Sequence, residues 1–167
     1  MGTIKQVRER YRKAYEALPD AISTTVQQTS ATLMDLNRDQ LLQGRDAEGN
    51  LLSPTYTQDP YFTTREAAAR YSKMKYKMEA EHRGMVANVE LFGEKPTDVP
   101  NLLVNGNWFF NHFFIKVTKE AYSIGSTGLA APDIERKYPK VYGLAPLSKE
   151  YYYFMYIRPT IKTVYGR

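Results

Sequence analysis

The stretch "PDIERK", residues 132–137, holds the densest set of groups able to do chemistry. Pro-Asp followed by Glu-x-Lys offers carboxylates that could hold Mg2+ and a lysine that could position a water. In nucleases built that way the two elements lie on separate strands. Here they are contiguous, and Asp133 and Lys137 stand at the i,i+4 spacing of an ion pair on one helix face. The segment is therefore expected to be a short helix with a surface pair, with Mg2+-dependent cleavage through Glu135 and Lys137 as an outlying alternative. His112 is one of two histidines and lies among aromatics, with Asn111 beside it and no carboxylate to orient it as a general base. His82 falls at a helix end, where an imidazolium is ordinary. Asp46, Glu48 and Asn50 alternate like the start of a calcium loop. The glycine, Gly49, is misplaced for that, and Thr57 stands where the bidentate glutamate belongs. A tight turn over Glu48-Gly49-Asn50 is the expectation.

No phosphate-cradling glycine pattern, nucleophile elbow or H-E-x-x-H zinc motif occurs. Cysteine is absent, which removes disulfides, thiolate metal sites and cysteine nucleophiles. No cofactor, metal or catalytic residue is expected. The chain has 167 residues, 43 % of them hydrophobic, which suits one domain. There is no apolar run long enough for a membrane span and no signal-peptide core. The net charge of +5 fits nucleic acid, an acidic partner or plain solubility equally well. Fourteen tyrosines say more, because an apolar ring with a polar tip suits a partly wet interface.

The elements follow from periodicity. Ile4, Val7, Tyr11, Tyr15 and Leu18 form one apolar stripe on a helix over 3–18, which carries five basic and two acidic residues. Pro19 and Asp20 predict a break, with Asp20 as the N-cap of a second helix over 21–43. The turn at 46–50 is flanked by short strands at 43–45 and 51–53. Thr63 and Glu66 form a capping box for a third helix that ends at Gly84. Strands are expected at 102–105 and 107–117, broken at Asn105-Gly106, with a return strand at 121–126 after a Lys119-Glu120 turn. Strand alternation puts Trp108, Phe110, His112 and Phe114 on one face and Phe109, Asn111, Phe113 and Ile115 on the other. Both faces are largely apolar, so the strand is expected to be covered on both sides. A base-stacking platform is less favoured, since Lys116 alone flanks it. Tyr152, Phe154 and Tyr156 alternate with Tyr151, Tyr153 and Met155 in a last strand ended by Pro159. One domain spans 1–167: helical at 1–44, turn, helix and loop at 45–100, and a β-rich core with a short helix at 101–167.

In order, "VPNLLVNGNWFFNHFFIKV", "AYSIGST", "IERKYPKVYGLAP" and "YIRPTIK" resemble tailed-phage proteins that join head to tail or complete the tail. Leu102 to Trp108 matches the family's first strand, with Asn105 in place of its usual threonine. Tyr122 to Ser126 matches the hairpin return, Tyr138 to Leu144 the tyrosine segment before a glycine, and Ile157-Arg158-Pro159 the last motif. "LNRDQLLQGRDAEGNLLSPTYTQDPYF" is similar in style to structural proteins of crAss-like phages. Trp108 and the phenylalanine run are bulkier than the pattern, and the N-terminal helices are longer. The resemblance implies an α+β fold with N-terminal and central helices packed on a small antiparallel sheet. It also implies a six- or twelve-fold homo-oligomeric ring in the virion, without catalysis, between portal, neck or tail proteins. Trp108, Phe109, Phe113, Tyr151, Tyr153 and Tyr156 are the expected interface. Arg8, Arg12, Lys13, Lys73 and Lys77 are the expected basic face toward a channel with passing genomic DNA. A basic nucleic-acid-binding module is the alternative.

Overall fold

Thr3 opens the first helix with a reciprocal cap: its N–H donates to Gln6 Oε1 at 2.8 Å, and the Gln6 N–H donates to Thr3 Oγ1 at 3.3 Å. This computed structural model describes residues 3–82, 91–103 and 109–166. The expected positions Gly84, Asn105, Gly106 and Trp108 lie outside them. Helix α1 runs Ile4–Gln28 and α2 runs Ser30–Leu42. The expected break at Pro19 is a correction, because α1 continues through it and the chain turns at Thr29 instead. An interior proline costs a helix about 3 kcal/mol or more. Packing of α1 against residues 152–160, where Thr29 meets Tyr152 and Thr25 meets Thr160, offsets that cost. Thr24, Thr25 and Thr29 hydroxyls donate to the carbonyls of Asp20, Ala21 and Thr25. Asp20, expected as a cap, instead pairs with Lys119 on the hairpin at 2.8 Å.

The turn at 46–50 forms as expected. Asp46 Oδ1 accepts from the Glu48 and Asn50 N–H groups, both at 2.9 Å, and Gly49 takes the left-handed backbone the turn requires. Arg45 and Leu51 form one antiparallel bridge across it. Helix α3, Arg65–His82, is capped by Thr64, whose hydroxyl accepts from the Ala67 N–H at 3.2 Å. The sheet has two antiparallel strands, β1 (Phe113–Val117) and β2 (Tyr122–Ser126), in the register Ile115 opposite Ile124. Thr118 N–H donates to Ala121 carbonyl at 2.8 Å, closing the turn over Lys119-Glu120. Helix α4 is Ala131–Lys137.

The sequence places one strand over 107–117; among the described residues β1 begins only at Phe113, after a 3-10 turn at Phe110–His112. A strand would send Phe109 and Phe110 to opposite faces. The turn brings them together. Phe109, Phe110 and Phe113 meet with ring centroids 5.1 to 5.8 Å apart, and Tyr142 closes the group. Phe109 is 0 % exposed, and Phe113 is buried as well. Both were expected at a subunit interface and both belong to this chain's own core. Leu41, Leu52, Val99, Leu103, Ile124 and Val141 complete that core.

The expected terminal strand is also corrected. Residues 146–165 are helical throughout: α5 (Pro146–Tyr152), a π turn (Tyr153–Ile157) and α6 (Arg158–Tyr165). Pro146 in the first turn is a favoured helix start. Pro159 has no N–H for the Met155 carbonyl and its ring crowds that carbonyl. The preceding turn is wide, with the Arg158 N–H reaching back to Tyr153. The described residues of 101–167 therefore hold more helix than strand, in place of the expected β-rich core, and the fold is a helix-rich α+β arrangement with one small sheet.

Two buried amides on α2 fasten the segment leading to this helix. Asn37 Nδ2 donates to the Val141 and Gly143 carbonyls at 3.0 and 3.1 Å. Gln40 Nε2 donates to Gly143 carbonyl at 2.7 Å, while its Oε1 accepts from the Ala145 N–H at 2.8 Å. Helix α1 then lies antiparallel along the C-terminal helix: Thr29 meets Tyr152 at 2.5 Å and Thr25 meets Thr160 at 2.8 Å, oxygen to oxygen.

Candidate interaction surface

The N-terminal half of α1 and helix α6 form a two-helix arm. Arg10 donates to the Tyr165 carbonyl at 3.1 Å, and the Tyr11 and Tyr165 rings lie 5.9 Å apart. A groove of about 780 Å³ separates the helices, lined by Arg10, Lys13, Ala14, Ala17 and Val164. Among the described residues of α1 up to Ala17, only Ala14 is buried, and α6 buries none.

Much of the apolar stripe expected on this helix is uncovered. Ile4 is 90 % exposed and Tyr15 71 % exposed, with Val7 and Tyr11 also exposed. The helix turns Ala14 and the Tyr11 ring to α6 and leaves Ile4, Val7 and Tyr15 of the stripe outward. A second apolar surface surrounds the π turn, where Leu147, Tyr153, Phe154 and Met155 are exposed. The Arg158 guanidinium lies 5.4 Å from the Phe154 ring centre. Of the expected interface tyrosines, Tyr153 is on this surface. Tyr151 is half-buried, and Tyr156 is half-buried with its ring 5.2 Å from that of Tyr152. Sequence reasoning missed Phe154 and Met155 as surface residues because it placed them on a strand.

The expected basic residues divide between two elements. Arg8, Arg12 and Lys13 are exposed on α1, which packs on α6; Lys73 and Lys77 are exposed on α3, which packs on the turn at Tyr56–Gln58. Arg12 is tied to Glu9 at 2.7 Å and reaches Glu16 at 4.0 Å.

The residues of "PDIERK" point in different directions. Asp133 pairs with Arg136 at 2.7 Å, Glu135 accepts from the Tyr142 hydroxyl at 2.6 Å, and Lys137 reaches away to Asp59. The pairing of Asp133 with Lys137 expected from their spacing is replaced by these. His112 is exposed at the start of β1, and its carbonyl accepts from the Thr127 N–H at 3.0 Å. Among the described residues no group of three or more His, Cys, Asp or Glu is placed to hold a metal ion. No helix among them is long and apolar enough to cross a membrane.

The Asp59–Lys137 pair ties the loop before α3 to α4. Burial raises the Asp59 pKa, but hydrogen bonds from Lys137 and the Tyr61 N–H, with the Lys137 charge, outweigh it and hold the carboxyl below its usual value. A depressed folded-state pKa adds stability above the unfolded value, and that stability is lost as pH falls through the folded value. The stability gap between the wild type and Asp59→Asn is therefore expected to be largest near neutral pH and to close below about pH 4. Thermal unfolding of both proteins across that range checks it, and a gap independent of pH would contradict it.

Compared with protein-family models, curated proteins and solved structures, the chain matches none.

Proposed function

We propose that this chain is a structural subunit of a tailed-phage virion, joining copies of itself into a ring in the neck or at the end of the tail. The observation that carries the reading is the outward apolar stripe of α1, with Ile4 and Tyr15 almost bare. A helix face of that kind buries itself against another element. The π-turn surface around Phe154 is a second, different apolar surface, and rings form when one surface meets a different surface of the next copy. The ordered C-terminal motifs that resemble head–tail joining proteins support the place in the particle. Portal, neck or tail proteins are then its neighbours, and the virion is its location. The role is scaffolding, without catalysis or cofactor. The test is the mass of the purified protein together with its presence in particles. Discrete multimers and incorporation are expected; a strict monomer absent from particles would sink the reading.

A nucleic-acid-binding module is favoured by one observation: Arg8, Lys13, Lys73 and Lys77 are exposed. Phosphate contacts make affinity fall steeply with salt. Absence of DNA binding at low salt, or binding insensitive to salt, removes this second reading.

A further inference from the structure

Lys75 is 7 % exposed, yet among the described residues its ammonium has no carboxylate and no hydrogen-bond acceptor. The acid one turn further along α3, Glu79, is already taken by Lys95 at 2.7 Å. Lys75 Nζ lies 5.9 Å from the centre of the Tyr71 ring, and both residues line a cleft of about 500 Å³. Tyr56, Phe62, Leu102 and Tyr138 form much of the rest of its wall. The charged groups on its rim are neutralised: Lys137 by Asp59, and Asp133 by Arg136. Among the described residues, one positive charge without a counter-ion therefore remains in an aromatic cleft. Desolvation is the sole cause that lowers the Lys75 pKa, to about 8, so the amine stays largely protonated at neutral pH. The ammonium still reaches the water of the cleft, but a cation this far desolvated is costly unless something pairs with it.

We propose that this cleft binds an organic monoanion, a carboxylate carried on a flat aromatic body. The carboxylate supplies the acceptor that Lys75 lacks, in a charge-assisted hydrogen bond. The ring packs among Tyr56, Phe62, Tyr71 and Tyr138, where offset or edge contacts with aromatic faces are available. The cleft is of ordinary size for a small-molecule site, and its walls are largely aromatic with Lys75 as the uncommitted charge among the described residues. A monoanion is favoured over a phosphate dianion because the other lysine at the rim, Lys137, is committed to Asp59. The proposal concerns a single subunit and holds whether or not copies assemble.

The experiment titrates the full chain with 2-naphthoate and, in parallel, with neutral 2-naphthamide, by ligand-observed NMR and calorimetry. Saturable binding of the carboxylate is expected, with the amide at least tenfold weaker. Lys75→Met and Lys75→Gln are expected to lose at least tenfold in naphthoate affinity with an equal or higher thermal midpoint. Lys116→Met, on β1 away from the cleft, is expected to bind as the wild type does. No saturable binding, or equal binding of the amide, overturns the proposal. So does undiminished binding by the Lys75 variants. Failure of both variants to fold also overturns it, because an amine without a partner should not hold the structure together. Loss of multimers in Lys75→Met without naphthoate binding by the wild type would assign the cleft to a second copy instead.

Discussion

Phe109→Ala is expected to destabilise the fold by about 3–5 kcal/mol, the usual cost of truncating a buried ring to alanine. Phe109 has no exposed surface and its ring touches those of Phe110, Phe113 and Tyr142. Its ring meets Phe113 edge-on, at 5.1 Å and 89°. Alanine removes the apolar area and leaves a cavity. The backbone around it cannot close in easily. The Phe109 carbonyl accepts from Ser126 at 2.9 Å, and the Phe110 carbonyl accepts from Arg38 Nε at the same distance. Those bonds pin the turn to β2 and to α2. Urea unfolding of wild type and variant measures the loss. A loss below about 1 kcal/mol would mean that the ring is not the centre of the core.

Lys95→Met is expected to cost a similar amount, about 3–5 kcal/mol, for a different reason. The Lys95 and Glu79 side chains are 2 % and 1 % exposed and pair at 2.7 Å. Lys95 Nζ also donates to the Val99 carbonyl at 3.1 Å, and Glu79 Oε2 lies 3.5 Å from Asn101 Nδ2. Methionine fills much of the same volume but takes the ammonium away from the buried Glu79 carboxylate and leaves the Val99 carbonyl without that donor. The double variant Lys95→Met/Glu79→Gln is expected to recover part of the loss, because the buried carboxylate charge that Lys95 balanced is then gone. Chemical unfolding of the four proteins of this cycle gives the coupling directly. Equal stability of Lys95→Met and the wild type would contradict the account of this pair.

The contrast between these two sites shows what the sequence made legible. The turn at 46–50 and the hairpin at 113–126 were legible because their signals are local: Gly49 at a left-handed position, and two polar residues between alternating runs. The rings around Phe109 were legible as core material but not as a turn. Consecutive aromatics satisfy a strand and a tight helical turn equally until the partners are known. "YYYFMYI" reads as a strand for the same reason, and Pro159 as its end, although the wide turn before it lets a helix continue. The Glu79–Lys95 pair left no sequence signal, since each partner sits in a charged stretch where solvent exposure is the ordinary expectation. The stripe on α1 was read correctly as a stripe. Periodicity reveals that a helix has an apolar face but not what covers it, and that cover is where the proposed function lies. The basic residues show the same limit: composition counted them, but could not say that α1 and α3 pack on different elements.

The claim that this outward stripe joins copies of the chain is tested most directly by native mass spectrometry of the wild type beside Ile4→Asp/Tyr15→Asp. Both positions are exposed, so the variant is expected to keep the wild-type circular dichroism and unfolding midpoint. The account predicts discrete multimers for the wild type and monomers for the variant at the same concentration. Multimers of unchanged mass in the folded variant would contradict it.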